Sequence, residues 1–174
     1  MHYFIALGSN LGCKTKNLEQ ATCLLKQHIG TIVADSGIVG SEPWHFESDN
    51  SFANSVVVLN TGIENPEQVL RLTQQIEISM GRNEKTTIVN GTPVYHDRII
   101  DIDLLLAYSD DTLKRIMQRV KGQNLYTDYA TLADIIGLSL HVQSKTLTLP
   151  HPFIMQRPFV RLPLSKVLNN LALE

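Results

Sequence analysis

The sequence predicts an α+β domain with a ferredoxin-like βαββαβ core, and three observations lead to this prediction. Residues 3–7, 31–39 and 52–59 are short apolar or β-branched runs of the kind that form strands. Two intervening segments instead place their apolar residues at helical spacing. With a further apolar run at residues 98–106, the order is strand, helix, strand, strand, helix, strand. A split βαβ unit is the simplest fold with that order.

Both predicted helices carry signals at their ends. The first spans residues 15–29, and Gly30 suits its end. The second begins at Asn65, which can cap it, with Pro66 at the first position and Gln68 able to bond back to the cap. Gly81 suits its end. The residues at helical spacing are Leu18, Ala21, Leu25 and Ile29 in the first helix, and Val69, Thr73, Ile76 and Met80 in the second.

The run at residues 98–106 holds two carboxylates among Ile and Leu residues, and we predict a buried central strand here. Asp101 and Asp103 point to the same side of a strand, with Cα atoms roughly 6.5 Å apart. Burying two like charges is costly unless a cation neutralises them. Mg²⁺ suits such a pair, since it takes few protein carboxylates and keeps water or phosphate ligands. We therefore predict a metal site with Arg98 beside it for phosphate; the alternative is a solvated edge strand.

Three loops are candidates for ligand contact. The glycine-containing turn at 8–12 could approach a ligand or be a plain turn. In the polar loop 40–50, Trp44 and Phe46 could bind a flat ligand or pack beneath the loop. Residues 83–97 have little apolar content, and we predict a mobile, functional loop.

An insert of about 110–145 follows the last core strand. Helical spacing predicts two short helices at 110–122 and 127–137. Residues 138–142 and 146–149 could then pair as a hairpin. No function follows from this insert, and a C-terminal extension completes the chain.

Composition limits the class of protein. The 174 residues are 43% hydrophobic, which suits one domain, 1–174, with a proper core. A formal net charge of -2 gives no general basic field for nucleic acid. The two cysteines form no CxxC motif, which indicates free thiols in a reducing cytoplasm. Neither a signal peptide nor a membrane-spanning run is expected.

Taken together, the motifs resemble the 6-hydroxymethyl-7,8-dihydropterin pyrophosphokinase family. Five pieces appear in the family's order and cover the chain from about Tyr3 to Leu168, except for the insert. They are Ala-Leu-Gly-Ser-Asn-Leu-Gly at 6–12, Phe-Ala-Asn-Ser-Val-Val at 52–57, Gln-Ile-Glu at 75–77 with Gly-Arg at 81–82, Asp-Arg-Ile-Ile-Asp-Ile-Asp-Leu-Leu-Leu at 97–106, and Leu-Pro-His-Pro at 149–152 with Arg-Pro-Phe-Val at 157–160.

The resemblance implies an enzyme of folate biosynthesis that transfers pyrophosphate from ATP to the pterin hydroxymethyl group and releases AMP. It implies that Asp101 and Asp103 hold two Mg²⁺ ions on the triphosphate. Arg82 and Arg98 match arginines that grip phosphates, a role that suits the bidentate guanidinium. The positions that it assigns to ATP binding, besides these arginines, are Gln74, Glu77, Thr148, His151 and Arg157.

The resemblance also assigns a pterin pocket. Phe52 and Phe159 match the two aromatic residues that stack on the pterin, and Asn54 matches the residue that bonds to its edge. Phe52 and Asn54 share one strand face. The remaining pocket positions that it implies are Ser41, Pro43, Trp44 and Asp101. We expect ATP and the pterin as partners, no nucleic acid or membrane, and a monomer.

Some residues depart from the family. Glu84 stands where many members have a second arginine, Lys85 follows it, and Tyr95-His96-Asp97 replaces a Trp-Gly-Pro stretch. Two alternatives remain within the fold. One is a non-catalytic ferredoxin-like binding module, since the fold supports many such proteins. The other, because of Glu84, is a slow, degenerate family member. An Asp-dependent Mg²⁺ nuclease or phosphatase would explain the aspartates but not Phe52, Asn54 and Phe159, and the chain lacks a basic stripe for nucleic acid.

Overall fold

A five-stranded antiparallel sheet carries the elements of the site. The computed structural model describes residues 1–44, 47–82, 87–89, 92–94 and 96–173, with the backbone alone at 87–89 and 92–94. Phe46, Glu84 and Lys85 therefore lie outside the described residues. The strands are β1 His2–Ser9, β2 Thr31–Asp35, β3 Val39–Ser41, β4 Phe52–Asn60, β5 Thr87–Val89, β6 Thr92–Val94, β7 Asp101–Tyr108, β8 Val142–Gln143 and β9 Thr148–Leu149. The helices are α1 Lys14–His28, α2 Pro66–Ser79, α3 Asp110–Val120, α4 Tyr129–Gly137 and α5 Pro158–Leu171.

The strand order confirms the predicted ferredoxin-like core. Neighbours in the main sheet run β2-β4-β1-β7, with β3 also paired to β4. Every pairing in this sheet is antiparallel. The helices α1 and α2 follow β1 and β4, as the sequence order required.

The predicted central position of the Asp strand is wrong, because β7 lies at the edge of the sheet. Its residues are nevertheless buried, since other segments cover the open edge. The backbone N–H of Ile102 donates to the Glu77 carboxylate from α2 over 2.8 Å. Farther along, the N–H groups of Leu140 and His151 donate to carbonyls of β7 over 2.8 and 2.9 Å. Covering an edge in this way blocks unwanted strand pairing.

Helices cover both faces of the sheet. Alternate strand residues point to opposite faces, so Ile5 and Val57 pack with α1 and α2, whereas Phe4 and Val58 pack on the other side. The second core contains residues of α3, α4 and α5. The insert helices α3 and α4, together with α5, therefore bury one face of the sheet. The two helices predicted in the insert are confirmed. The predicted hairpin forms only as the short pair β8 and β9.

Three local predictions need correction. The predicted strand 31–39 is divided between β2 and β3, with Gly37 at a φ of +70° between them. The loop predicted over 83–97 contains the antiparallel pair β5 and β6. The helix α5 was not predicted, although Pro158 at its first position is a typical start. Among the described residues, none of the helices could cross a membrane.

Candidate active site

One cavity of about 240 Å³ brings most of the predicted site residues together. It lies where β1 ends and where β4 and β7 begin, and residues 151–160 close its other side. The predicted residues that line it are Ser41, Trp44, Phe52, Asn54, Arg82, Arg98, Asp101, Asp103, His151, Arg157 and Phe159. Carboxylates, guanidinium groups and aromatic rings thus share one space.

The two aspartates begin β7 and face this cavity, as predicted for one side of a strand. The side chains of Asp101 and Asp103 are 18% and 25% exposed, so both are reachable from solvent. Gly8 pairs with Asp101 across the sheet. A Cβ atom on Gly8 would lie 3.4 Å from the Asn54 amide oxygen and 3.9 Å from the Asp101 Cβ. These are ordinary van der Waals distances, so the backbone of Gly8 forms part of the cavity floor between Asn54 and Asp101.

Arg82 lies behind Asp101 and is buried. Its guanidinium donates to Glu77 over 2.6 Å, to the Ile100 carbonyl over 3.0 Å, and to Asp101. The residue is 6% exposed. Burial lowers the pKa of Arg82, but the carboxylates of Asp101 and Glu77 outweigh it, so the pKa rises above its ordinary value. Arg82 is thus a fixed cation that holds one aspartate in place.

Arg98 and Arg157 approach the aspartates from the two sides of the cavity. The Arg98 guanidinium lies 3.4 Å from Asp101 and 5.4 Å from the centre of the Phe52 ring. Arg157 lies 4.0 Å from Asp103 and 4.4 Å from the Trp44 ring. The Nε atom of Arg157 is buried and has no hydrogen-bond partner within the described part of the chain. An anion in the cavity would offer an acceptor to this Arg157 donor.

Aromatic side chains form the opposite end of the cavity. Trp44 lies 6.2 Å from Phe159 and 6.1 Å from Phe153, measured between ring centres. Asn54, 6% exposed, donates to the Ser41 hydroxyl over 3.0 Å. A polar amide beside aromatic rings suits a flat heterocycle with a hydrogen-bonding edge.

Some predicted residues lie elsewhere. The Glu77 carboxylate is 3% exposed and is held by Arg82 and the Ile102 N–H group. Gln74 on α2 and Thr148 on β9 are partly exposed, outside the group of described residues that line the cavity. Pro43 lines a neighbouring surface hollow instead.

Sequence reasoning missed three residues beside the cavity. Phe153 lies 5.0 Å from the Arg157 guanidinium and is 40% exposed. Asn10 and Asp97 hold the backbone next to Arg98. The proline-framed motif at 150–152 and the turn at 8–12 pointed to these regions, but no residue pattern singled out the side chains.

Paired carboxylates facing several arginines, beside an aromatic pocket, define a site of the phosphoryl-transfer class, which works by positioning and charge neutralisation. Residues 4–169 match the family model described as 7,8-dihydro-6-hydroxymethylpterin-pyrophosphokinase (HPPK). The chain belongs to this family.

Relatives and solved structures agree with this assignment. A 2-amino-4-hydroxy-6-hydroxymethyldihydropteridine pyrophosphokinase from Porphyromonas gingivalis is 38% identical over 164 residues, covering 94% of this chain and 88% of the relative. The enzyme of the same name from Bacillus subtilis is 28% identical over 172 residues, 98% of this chain and 80% of the relative. The fold is similar to Plasmodium falciparum HPPK-DHPS with SDX-DHP, at a TM-score of 0.59 and 14% identity, over 96% of this chain. This chain spans 40% of that longer one.

The predicted reaction is confirmed at the level of the family: pyrophosphate passes from ATP to hydroxymethyldihydropterin in folate synthesis. The chain is accordingly a pyrophosphokinase, that is, a diphosphotransferase. These comparisons favour none of the alternatives, neither the binding module nor the nuclease or phosphatase.

Proposed function

We propose that Asp101 and Asp103 hold two Mg²⁺ ions on the triphosphate of ATP during this pyrophosphate transfer. The observation that carries the proposal is that both carboxylates face one cavity together with Arg82, Arg98 and Arg157. Carboxylate oxygens are ligands that Mg²⁺ prefers. Within the described residues, no group of three or more His, Cys, Asp or Glu side chains forms a metal cluster. Two carboxylates therefore leave room for water and phosphate oxygens as further ligands.

Bound Mg²⁺ would supply charge neutralisation for the triphosphate and its leaving group. The arginines divide the remaining work. We propose that Arg98 and Arg157, which lie on either side of the aspartates, contact the phosphates directly. Arg82 is held by two carboxylates and orients Asp101. Since Glu77 is committed to Arg82 and to β7, we propose that it positions Arg82 and does not contact ATP.

The adenosine side of ATP is proposed to lie along the segment that follows β9. His151 lines the cavity, and its ring accepts a hydrogen bond from the Phe153 N–H over 3.2 Å. The backbone N–H of His151 donates to the Leu105 carbonyl over 2.9 Å, which holds the backbone of this residue beside β7. Gln74 and Thr148 would contact ATP only where it extends past the cavity wall.

The pterin is proposed to occupy the aromatic end of the cavity, between Phe52 and Phe159. Asn54 would bond to its edge, and Ser41 and Trp44 would line the pocket. The Ser41 hydroxyl already orients the Asn54 amide in this structure. Pro43 would not touch the pterin but would set the path of the loop that carries Trp44.

The test measures AMP release from ATP with each component omitted in turn. We expect AMP only when ATP, the hydroxymethyl pterin and Mg²⁺ are all present, and loss of activity on chelation with recovery on Mg²⁺ addition. Equal AMP release without the pterin would contradict the transfer reaction. Full activity in excess chelator would contradict the metal proposal alone, so the two results are separable.

We also propose that residues 1–174 act as one domain, as a monomer in the cytoplasm. Cys13 and Cys23 are free and exposed, which suits a reducing compartment. Sedimentation would show a mass near the 19.5 kDa of one chain. A dimer mass at micromolar concentration would contradict the monomer.

A further inference from the structure

Beside the catalytic aspartates lies a second cluster of polar side chains, Asn10, Ser48, Asn50 and Asp97, which we name the Asp97 cluster. One carboxylate receives three donors: the Asn10 amide over 2.7 Å, the Ser48 hydroxyl over 2.6 Å and the Asn50 amide over 2.7 Å. The Ser48 hydroxyl in turn accepts from the Asn50 N–H over 3.1 Å. Both oxygens of Asp97 are thus used.

The members of the Asp97 cluster come from three separate segments. Asn10 lies in the turn after β1, Ser48 and Asn50 lie in the connection from β3 to β4, and Asp97 precedes β7. The β3–β4 connection also carries Trp44, which forms a wall of the aromatic pocket. Through Asp97, this pocket loop is therefore tied to the entry of the strand that carries both catalytic aspartates.

Asn10 transmits the contact to Arg98. Asn10 is 2% exposed, and its side-chain oxygen accepts from the Arg98 N–H over 2.7 Å. Its own N–H donates to the Arg98 carbonyl over 3.1 Å. Both polar groups of the Arg98 backbone are thereby fixed. The Asn10 amide keeps this orientation because its nitrogen donates to Asp97.

We propose that Asp97 is a positioning residue that couples occupation of the pterin pocket to the placement of Arg98 at the phosphates. The inference rests on the proposed roles of the two ends of the cavity. A ligand in the pocket contacts Trp44 on the connection that also carries Ser48 and Asn50, and their hydrogen bonds to Asp97 lead through Asn10 to the backbone of Arg98. An amide at residue 97 has one acceptor oxygen in place of two, so it cannot accept from the Asn50 amide on one side and from Asn10 and Ser48 on the other, as the carboxylate does.

The rival interpretation is that the Asp97 cluster is an ordinary polar cluster that only stabilises the fold. The hydrogen bonds that Asp97 accepts from Asn10 and Ser48 are partly buried, so their loss alone would also lower the stability of the fold. A structural role alone would lower the melting temperature without changing the coupling between ligands. The experiment therefore measures ligand coupling and thermal stability in the same variants.

Trp44 is the single tryptophan of the chain and lines the pocket, so its fluorescence reports pterin binding without catalysis. The pterin Kd is measured for wild type and Asp97→Asn, with and without a non-hydrolysable ATP analogue and Mg²⁺. We expect the analogue to tighten pterin binding about tenfold in wild type, as is typical of coupled sites. In Asp97→Asn the factor should fall below threefold, whether or not the melting temperature also falls.

The matched control is Asp49→Asn, which removes a carboxylate from the same connection at an exposed position. Asp49→Asn should keep the wild-type coupling. Ser48→Ala should weaken the coupling. Combined with Asp97→Asn, it should weaken the coupling no further than Asp97→Asn alone, since both substitutions act on the contact between residues 48 and 97.

The inference is overturned if Asp97→Asn keeps the wild-type coupling, or if Asp49→Asn loses as much coupling as Asp97→Asn. It is also overturned if the analogue leaves the pterin Kd of the wild type unchanged. Turnover distinguishes this from failure of the proposed function. A wild type that releases AMP only with pterin supports the function even when Asp97→Asn couples normally.

Discussion

The Arg82 guanidinium lies 2.6 Å from the Glu77 carboxylate, and each side chain is only 4% exposed. The same carboxylate accepts from the Ile102 N–H, so Glu77 joins α2, Arg82 and the edge strand β7. Removing one partner of a buried ion pair leaves the other charge uncompensated and typically costs 3–5 kcal/mol. We expect Glu77→Ala to lower the free energy of unfolding by about 3 kcal/mol, measured by urea denaturation.

Two further variants make this prediction specific. Glu77→Gln keeps an acceptor for Ile102, so its loss should be smaller. Gln75→Ala changes an exposed residue of the same helix and should have little effect. If Glu77→Ala unfolds at the same urea concentration as Gln75→Ala, the ion pair does not hold β7 in place.

We expect the Ala variants of Asp101 and Asp103 both to lose turnover but to differ in thermal stability. Each Ala variant removes a proposed metal ligand, and we expect a loss of rate of about 100-fold or more. Asp101 also pairs with Arg82 and Arg98, so Asp101→Ala should melt earlier than wild type. Asp103 lies at the longer distance of 4.0 Å from Arg157, and Asp103→Ala should lose less melting temperature than Asp101→Ala.

Turnover and thermal melting of both variants check this prediction, with Asp111→Ala as an exposed control. A near-normal rate in Asp103→Ala at ordinary Mg²⁺ would refute the two-ion arrangement.

The pterin pocket predicts a selective loss of affinity. Asn54→Ala leaves the polar edge of a buried heterocycle unpaired, at a cost of about 1–3 kcal/mol. Phe159→Ala should weaken the same ligand through lost stacking. Both variants should bind ATP nearly as wild type, as measured by calorimetry with each ligand separately. Leu162→Ala, on the exposed side of α5, is the matched control. If a variant loses as much affinity for ATP as for the pterin, the assignment of its residue to the pterin half of the cavity is wrong.

The sequence predicted the order of the core elements well, because alternation and helical spacing are local properties. It could not reveal that β7 is an edge strand. An apolar run indicates burial, whether a neighbouring strand or a distant segment covers the edge. Here the covering groups are Glu77, Leu140 and His151, which are far from β7 in the sequence.

Other omissions had local signals. Thr-Ile-Val at 87–89 and Thr-Pro-Val at 92–94 flank an Asn-Gly pair, a hairpin signal that the loop prediction overlooked. The helix α5 begins with proline and buries Val160, Leu164, Val167 and Leu168 at helical spacing. By contrast, the Asp97 cluster joins three segments, and no sequence period could have predicted it.

The surroundings of His2 predict that the folded protein loses stability in acid. Burial lowers the pKa of His2, and the 3.2 Å contact with Asp110 opposes this only in part. The unfolded chain therefore binds this proton more readily than the folded protein. The contribution of His2 to stability is present at neutral pH and declines as the pH falls below the ordinary value of 6.5. We expect His2→Gln to lose less melting temperature than wild type between pH 7 and pH 5.

The control for this pH series is His28→Gln, which changes an exposed histidine of α1. It should follow the wild-type curve. If His2→Gln and wild type lose the same melting temperature on acidification, other groups cause the acid sensitivity.

Substitutions of Arg98 test whether its side chain acts in catalysis or only stabilises the structure. Its guanidinium lies 3.4 Å from Asp101, and its backbone is fixed by Asn10, so the side chain could be a salt bridge or a phosphate ligand. A charge that is needed most as the phosphate bond breaks lowers the barrier and leaves ground-state binding nearly unchanged. Arg98→Ala should therefore slow single-turnover AMP release about 100-fold or more, while pterin still binds. Arg98→Lys keeps the charge but not the bidentate geometry, so its rate should lie between the rates of the wild type and Arg98→Ala. If Arg98→Ala keeps the wild-type rate but melts much earlier, the residue only stabilises the entry to β7.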